Sequence, residues 1–354
     1  MKVLLVSVKN EAAHGGIAVW TESYLKGCAD RGIETDIVNI QMQGKRAVDG
    51  TAKRNLMDEL RRTADIFAQL RQYLKCPGDY DVAHLNTSCG TFGLIRDLMI
   101  AQQIVRKGIS LVTHYHCDVA NCIGNALSHR CLGKLAKLSK HNLVLNENSR
   151  RYLEEQFDLD GVKVPNFIEQ SLVLHTEKTV RETLEQVFFV GRIEPQKGAA
   201  EIYELARRFP ELNFALVGEV REEVAQWDKP ENVVLLGGMP HEQVVAQMDQ
   251  SDVFLFPSHS EGFSVALMES MARGLPAVAT DVGAAADMLA NGCGIVVPKG
   301  DVDAMERALK ELKDPELRKS ISNAAANKVR QCYTTDAVMR LLEQYYTADK
   351  AAGI

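Results

Sequence analysis

The sequence of 354 residues contains no long apolar run, no closely spaced cysteine pair and no excess of basic residues. No segment reaches the roughly 18 apolar residues needed to span a bilayer. The apolar start, residues 1–6, predicts a first strand rather than a signal peptide. The eight cysteines include no CxxC pair, so we expect reduced, mostly buried thiols. The lack of a membrane span and of a signal peptide predicts a cytoplasmic protein, and the net charge of -6 argues against nucleic-acid binding.

A dinucleotide-binding motif is also missing. The first strand-to-helix junction carries Gly15 and Gly16 rather than GxGxxG, so no dinucleotide cofactor is indicated. Two adjacent glycines can form a tight turn, or they can let a ligand approach the backbone closely. The junction is therefore a candidate ligand loop.

Strand-like and helix-like segments alternate through both halves of the chain, and the length suits two domains. We predict an α/β fold of two Rossmann-like, doubly wound parallel-sheet domains that face each other across a cleft. The first domain is expected at residues 1–166 and the second at 167–333. A final helix in 334–354 is expected to return to the first domain.

The most informative stretch is residues 254–279, FLFPSHSEGFSVALMESMARGLPAVA. The apolar run 253–256 predicts a buried parallel strand. A loop follows it and leads into a helical pattern over 265–272, which Gly274 ends as a C-cap. A second apolar strand completes a strand–loop–helix–strand unit.

The start of this helix is a predicted anion site. Backbone N–H groups around residues 263–266 have no partners within the helix and point beyond its end. Glu261 lies in the loop before the helix, and Glu269 lies two turns along it. As an alternative, Glu261 only interacts favourably with the helix dipole and Glu269 is a surface acid.

Two cations follow the strand predicted at 187–190. Arg192 and Lys197 lie five residues apart in the loop before a helix that begins at Ala199. A guanidinium and an ammonium delivered together at a strand end suit a diphosphate. A surface salt bridge is the alternative interpretation.

Facing sheets would bring these groups into one cleft. The predicted pocket combines Gly16 and His116 from the first half with Arg192, Lys197, Glu261, Glu269 and the amides of residues 263–266 from the second. Cations and amides fit a diphosphate, while a carboxylate two turns down the helix can accept from ribose hydroxyls. The sequence thus predicts a nucleotide-diphosphate site.

The segment His114-Tyr115-His116-Cys117-Asp118 offers a different chemistry. Alternation along an extended strand end would place His114, His116 and Asp118 on one side. HxHxD occurs in the metal sites of some hydrolases, but no neighbouring third histidine and no downstream cluster completes a ligand set. We favour a polar contact with substrate and predict no metal.

A charge-dense helical tract spans residues 43–75, with eight basic residues and an apolar face. Such a helix either presents a solvated face or rests on anionic lipid. The second interpretation predicts peripheral contact with the inner face of the cytoplasmic membrane.

Over nearly its full length the sequence resembles the retaining GT-B glycosyltransferases of family 4, the glycosyl transferases group 1. The matching segments are an E-x7-E motif at Glu261 to Glu269, a diphosphate motif at Val190 to Gly198, and amino-terminal ligand loops at Gly15 to Ile17 and Tyr115 to Asp118. The sequence departs from the family at Ser264, where many members carry glycine, and at Asn146-Glu147, where a serine is frequent.

The resemblance assigns roles to individual residues. It implies that Glu261 and His116 lie by the donor sugar, that Arg192 and Lys197 stabilise the departing diphosphate, and that Glu269 binds the ribose. The remaining nucleotide-binding positions are Gly16, Gly191, Gly238, Met239, Gly262, Phe263, Ser264 and Val265. Base contacts are expected from the backbone around Gly238 and Met239.

The resemblance implies a hexosyltransferase-type enzyme that moves a sugar from a nucleotide-diphosphate sugar to an acceptor hydroxyl with retention. We favour a UDP-sugar over a GDP-sugar, and a saccharide or lipid-linked acceptor in surface polysaccharide, lipopolysaccharide or glycolipid synthesis. No metal and no cofactor are expected, since cations and amides can stabilise the leaving group.

Three alternatives use the same residues differently. A non-hydrolysing nucleotide-sugar epimerase of GT-B fold would share the nucleotide pocket. A metallohydrolase would use His114, His116 and Asp118. A catalytically silent subunit would bind the nucleotide-sugar without turning it over.

Overall fold

The computed structural model describes residues 1–9, 16–41 and 56–347. Gly15, the first part of the basic tract and residues 348–354 lie outside the described residues. The chain divides into two compact units, one comprising Met1–Phe167 with the chain from Val338 onward, the other Ile168–Ala337. Each unit has its own parallel sheet.

The first unit contains a six-stranded sheet of order β2-β1-β3-β4-β5-β6. Its strands are β1 (Lys2–Ser7), β2 (Glu34–Asn39), β3 (Val82–Thr87), β4 (Leu111–Tyr115), β5 (His141–Val144) and β6 (Gly161–Lys163). Its helices are α1 (Gly16–Asp30), α2 (Leu56–Tyr73), α3 (Thr91–Arg106), α4 (Val119–Cys122), α5 (Ala126–Leu138) and α6 (Glu147–Phe157), with a 3₁₀ turn at Pro77–Asp79. All neighbouring strands pair in parallel.

Helices cover both faces of this sheet, because its strands are apolar on both sides. Along β1, Leu4 and Val6 pack into one core cluster. Val3 and Leu5 pack into a second cluster on the other face. The period-2 alternation of a strand sends successive side chains to opposite faces, so a continuous apolar run indicates burial on both.

The second unit contains a six-stranded sheet of order β12-β11-β10-β7-β8-β9. Its strands are β7 (Gln186–Val190), β8 (Asn213–Val217), β9 (Val233–Gly237), β10 (Val253–Phe256), β11 (Ala277–Thr280) and β12 (Ile295–Val297). Its helices are α7 (Ala199–Arg208), α8 (Glu222–Ala225), α9 (His241–Gln250), α10 (Val265–Ala272), α11 (Ala285–Leu289), α12 (Val302–Glu311) and α13 (Pro315–Cys332), with 3₁₀ turns at Gln170–Leu172 and Pro195–Lys197. Every strand pair is again parallel.

The central strand β10 shows the same two-sided burial. Val253 and Leu255 face one cluster, while Phe254 and Phe256 face another. The predicted α/β class with two doubly wound parallel sheets is therefore confirmed.

The last helix, α14 (Thr335–Thr347), contributes to the core of the first unit. Val338, Leu342 and Tyr346, at four-residue intervals, are buried in the cluster that also contains Trp20. That spacing places the three side chains on one face of the helix. Among the described residues, no helix is both long enough and apolar enough to cross a membrane.

Candidate functional site

The predicted nucleotide residues of the second unit meet where its strand order reverses. The chain enters the sheet at β7, runs outward through β8 and β9, and returns to the other side of β7 at β10. In open parallel sheets, the crevice at the carboxyl ends of two such strands is where ligands bind. The loops after β7 and β10 therefore lie on either side of this switch point.

Tight backbone approaches hold the loop after β7 in place. Gly191 and Gly218 both have positive φ values, 152° and 137°. A Cβ atom on Gly218 would lie 1.9 Å from the Gly191 carbonyl oxygen, so only glycine fits there. Arg192 follows this contact, and its guanidinium lies 3.0 Å from Glu194 with 55% of the side chain exposed. A guanidinium so exposed is accessible to an anionic ligand.

Lys197 and Glu261 are joined across the switch point. The Lys197 ammonium donates to Oε1 of Glu261, and the Ser258 hydroxyl donates to the same oxygen at 3.1 Å. Both side chains are about one-fifth exposed. The structure thus brings together the cation predicted for the diphosphate and the acid predicted for the sugar.

His259 ties the two loops together and was not among the predicted site residues. Its amide donates to the Gln196 carbonyl at 3.0 Å, and its Nε2 lies 2.6 Å from Oε1 of Glu201. Gly198, with a φ of 80°, allows the two loops to approach this closely, since a Cβ there would lie 2.3 Å from the Pro257 carbonyl oxygen. In the sequence, nothing about this isolated loop histidine indicated that it would pair with Glu201, which is 58 residues away in the chain.

The start of α10 has the predicted geometry. Ser264 is the N-cap, and its hydroxyl accepts from the Leu267 amide at 3.2 Å. The amides of Val265 and Ala266 precede the first intrahelical bonds, and such amides point beyond the end of a helix. The serine that departs from the family pattern therefore caps the helix itself.

Contacts with other segments of the second unit hold Gly262 and Phe263 in place. The Gly262 carbonyl accepts from the Ala284 amide at 3.1 Å, and the Phe263 ring packs edge-on against Tyr333 with centroids 5.8 Å apart. Gly283, at a φ of 56°, would bring a Cβ within 2.6 Å of the Glu261 and Gly262 carbonyls. This glycine was missed because only the folded loop makes it necessary.

Glu269 accepts a hydrogen bond from a histidine that sequence reasoning also missed. Nε2 of His241, at the start of α9, lies 2.8 Å from Oε1 of Glu269. The bond to the carboxylate raises the pKa of His241 above its ordinary value. Gly238 and Met239, predicted to contact the base, lie in the turn between β9 and His241. The residues predicted for the ribose and for the base thus lie near one another in the second unit.

The other predicted residues, Gly16 and His116, belong to the first unit. Gly16 is the exposed first residue of α1. His116 follows β4; its Nε2 lies 3.0 Å from Oδ1 of Asn86, and its ring packs edge-on against Trp20 of α1 with centroids 5.0 Å apart. Burial, and then the nearby His84 ring, lowers the pKa of His116 to about 3, so the ring is neutral near pH 7.

The HxHxD segment does not assemble a metal site in the described part of the chain. The rings of His114 and His116 lie together, with centroids 4.1 Å apart. Asp118 instead caps α4 through the Asn121 amide and accepts from Nδ2 of Asn148 at 2.9 Å. No group of three or more potential ligands with metal-binding geometry occurs in residues 1–9, 16–41 and 56–347.

Comparisons with known proteins agree with this geometry. Residues 173–328, which make up most of the second unit, match the family model described as glycosyl transferases group 1. The phosphatidyl-myo-inositol mannosyltransferase of Mycolicibacterium smegmatis is 26% identical over 292 residues, covering 78% of this chain and 73% of that protein.

Two solved structures share the fold over both units. Sucrose-phosphate synthase from Thermosynechococcus elongatus has a TM-score of 0.78 at 16% identity, covering 99% of this chain and 100% of that one. The Anabaena protein HepE in complex with UDP has a TM-score of 0.74 at 15% identity, covering 98% and 100%. The chain therefore carries a glycosyl transferases group 1 domain at residues 173–328, and it is a glycosyltransferase with a GT-B fold, as the sequence predicted.

Proposed function

We propose that this glycosyltransferase moves a hexose from a UDP-sugar to an acceptor hydroxyl with retained anomeric configuration, without a metal or cofactor. The observation that carries the proposal is the pairing of Lys197 with Glu261 at the switch point of the second sheet. The pair supports the proposal because a cation suited to a leaving diphosphate lies beside an acid suited to a sugar.

The leaving group needs the most stabilisation. As the bond between the anomeric carbon and the diphosphate oxygen breaks, negative charge develops on the diphosphate. Arg192, Lys197 and the amides around Val265 are fixed in place before that charge appears, and such preorganised groups stabilise a transition state strongly. These cations supply what a divalent ion would otherwise provide, so we expect activity to persist in EDTA.

Retention follows if the acceptor attacks from the face that the diphosphate leaves. The acceptor oxygen forms its bond to the anomeric carbon as the diphosphate departs, and the acceptor proton passes to a phosphate oxygen of the departing UDP. Glu261 is assigned to the donor sugar, Glu269 to the ribose, and His116, in the first unit, to a substrate hydroxyl. Gly16, Gly191, Gly238, Met239, Gly262, Phe263 and Ser264 are assigned to the donor through their backbones.

The preference for UDP is supported by the similar structure of HepE, which holds UDP. A thermal-shift comparison of UDP, GDP and ADP tests it. At a hundredfold excess over Kd, binding adds about 2.7 kcal/mol, or roughly 5 to 10 °C in Tm. Failure of every nucleoside diphosphate to stabilise the protein would contradict the donor site, whereas stabilisation by GDP alone would contradict the base assignment.

The stereochemistry has its own test. Proton NMR of the product should show the same anomeric configuration as the donor sugar, and EDTA should leave the rate unchanged. An inverted product would overturn the retaining mechanism. An epimerised sugar nucleotide formed without any acceptor would instead favour the epimerase.

We also propose that the acceptor is a saccharide or a lipid-linked saccharide presented at an anionic membrane, for surface polysaccharide, lipopolysaccharide or glycolipid synthesis. The mannosyltransferase relative is named for a phosphatidyl-inositol acceptor. In this chain, helices α2 and α5 both pack against α3. Their exposed large apolar side chains include Met57, Leu60, Phe92 and Leu127, and exposed Arg61, Arg71 and Lys134 lie on the same helices.

Vesicle co-sedimentation tests this membrane contact. The protein should sediment with phosphatidylglycerol-containing vesicles at low salt and much less with neutral ones, since each basic residue near an anionic surface contributes about 1 kcal/mol. Leu60→Ser with Leu127→Ser should weaken sedimentation, while Val234→Ser, at an exposed site of the second unit, should not. Equal recovery in the supernatant with both vesicle types would contradict the proposal.

A further inference from the structure

A one-way chain of hydrogen bonds runs through the first unit from the start of α1 to His116. The Thr21 hydroxyl donates to the Ile17 carbonyl at 2.8 Å, and the Ser7 and Thr21 hydroxyl oxygens lie 2.6 Å apart. Nδ2 of Asn86 donates to the Ser7 oxygen at 2.8 Å. Because Thr21 has already given its only hydrogen to a carbonyl, Ser7 must donate to Thr21 and accept from Asn86.

This direction fixes the orientation of the Asn86 amide. Its nitrogen faces Ser7, so Oδ1 faces the two histidines and can only accept. Oδ1 lies 3.0 Å from Nε2 of His84 and 3.0 Å from Nε2 of His116. Each Nε2 must therefore carry a hydrogen. Burial lowers the pKa of both rings to about 3, so each is neutral near pH 7 and its Nδ1 has a lone pair.

The contacts of the other ring nitrogen of His84, Nδ1, agree with this tautomer. Its Nδ1 pairs with the Tyr346 hydroxyl of α14, and that hydroxyl lies 3.0 Å from the hydroxyl of Tyr24. Tyr346 donates to the bare Nδ1 and accepts from Tyr24, so every group in this arm is satisfied. All of these side chains are buried.

On the side of His116, by contrast, one buried acceptor has no partner within the described part of the chain. Asn166 forms a side-chain contact with the His116 ring, and its Oδ1 atom is buried with no hydrogen-bond partner among the described residues. With hydrogen on Nε2, Nδ1 of His116 is an acceptor, and Oδ1 of Asn166 is an acceptor as well. They suit a group that donates hydrogen, as a sugar hydroxyl does.

We propose that Asn86 is a positioning residue that holds His116 in the Nε2–H tautomer, so that His116 accepts a hydrogen bond from a substrate hydroxyl through Nδ1. The contact with substrate rests on the proposed function, whereas the tautomer does not. His116 then orients a hydroxyl and does not act as a proton donor.

Long-range proton–nitrogen NMR correlations of the full-length protein, labelled with ¹⁵N-histidine, test the tautomer directly. His116 is assigned by its loss in His116→Gln. We expect hydrogen on Nε2 and a lone pair on Nδ1 in the wild type at pH 7. Hydrogen on Nδ1 of His116, or a charged ring, would overturn the proposal whatever the activity of the enzyme.

Three variants test the role of Asn86. In Asn86→Ala, His116 should populate both tautomers, and kcat/KM should fall about tenfold, the value of one hydrogen bond. Asn86→Asp keeps an acceptor and should keep the Nε2–H tautomer, while its charge should introduce an acid limb in the pH–rate profile. Tyr346→Phe, the control, removes a hydroxyl from the His84 arm and should leave the His116 tautomer unchanged.

The outcomes separate the two proposals. An unchanged His116 tautomer in folded Asn86→Ala would refute the positioning role. If Asn86→Ala does not fold, as judged by circular dichroism, the wild-type spectrum and Asn86→Asp still decide the tautomer. Full activity of His116→Gln alongside the expected wild-type tautomer would refute the contact with substrate and leave the tautomer standing.

Discussion

Lys197 and Glu261 form an ion pair although 64 residues separate them in the chain. Lys197 ends the 3₁₀ turn after β7, and Glu261 lies in the loop after β10, the strand that neighbours β7 in the sheet. The pair holds an ammonium at the switch point before any ligand arrives. Because both side chains are partly exposed, a bound diphosphate can still reach the cation.

Replacing Lys197 should reduce activity strongly. In Lys197→Ala we expect kcat to fall roughly 10²- to 10³-fold, as for other groups that stabilise charge in a transition state. Steady-state kinetics with a UDP-sugar measures the loss. Lys310→Ala, which removes an exposed lysine that pairs with Glu306, is the matched control and should keep full activity. Equal activities of the two variants would contradict the assigned role.

The energetic coupling between Lys197 and Glu261 can be measured with a double-mutant cycle. Since the two groups contact each other, the effects of Lys197→Ala and Glu261→Gln on kcat/KM should be far from additive in the double variant. A complete double-mutant cycle gives the coupling. Additive effects would mean that the two side chains act independently and that their contact has no catalytic consequence.

The hydrogen bond between His241 and Glu269 should make stability depend on pH. Because Glu269 raises the pKa of His241 in the folded state, its contribution is fully present below the unfolded value of 6.5 and is lost as pH rises through the folded pKa. The stability difference between wild type and His241→Gln should therefore be larger at pH 5.5 than at pH 9. His241 is 54% exposed, so solvent screening keeps the effect small.

Urea denaturation at several pH values measures that difference. The matched control is the same substitution made in a Glu269→Gln background, where the pH dependence of the difference should disappear. A dependence that persists without the Glu269 carboxylate would assign the shift to another group.

Gly198→Ala should destabilise the second unit more than Gly300→Ala. The two glycines have similar φ values, 80° and 74°, but a Cβ on Gly198 would lie 2.3 Å from the Pro257 carbonyl oxygen, whereas nothing lies within 4 Å of a Cβ on Gly300. Gly300→Ala should cost about 1 kcal/mol for the left-handed backbone. Gly198→Ala should cost that plus the displacement of the loop after β10. Equal unfolding midpoints would contradict the close approach.

Ser264 stands where many family members carry glycine, and the stability contributed by its hydroxyl can be measured. Because its hydroxyl accepts from the Leu267 amide, Ser264→Ala should lower stability by about 1 kcal/mol and Ser264→Gly by only a few tenths. Thermal unfolding of the two variants measures the difference. UDP affinity should change little in Ser264→Gly, since the backbone amide remains; a large loss would show that the hydroxyl itself binds the donor.

The fold could be predicted because the strands are nearly continuous apolar runs. Val253 to Phe256 is apolar at every position, as only a strand covered on both faces requires. The start of α10 could also be predicted from the sequence, because a strand, a loop, a capping serine and a terminal glycine are all local signals. Arg192, Lys197, Glu261 and Glu269 were predicted as site residues from such strand ends and helix starts.

The partners of these residues could not be found in the same way. His241 and His259 are isolated histidines in the sequence, and only the folded second unit sets them against Glu269 and Glu201. Gly218 and Gly283 look like ordinary loop glycines until another backbone segment is seen to approach them. Contacts between loops depend on which strands become neighbours, and strand order has no local signature.

The sequence by itself determined the two parallel α/β units, and it allowed the anion site at the start of α10 and the glycosyltransferase class to be predicted, because each depends on local periodicity, capping or a short motif. Tertiary structure alone decided that Lys197 meets Glu261 and that Asn86 bridges His84 and His116. Those pairings arise where segments distant in the chain end at one edge of a sheet. Which group donates and which accepts in each hydrogen bond is decided only when all the neighbouring donors and acceptors are in place.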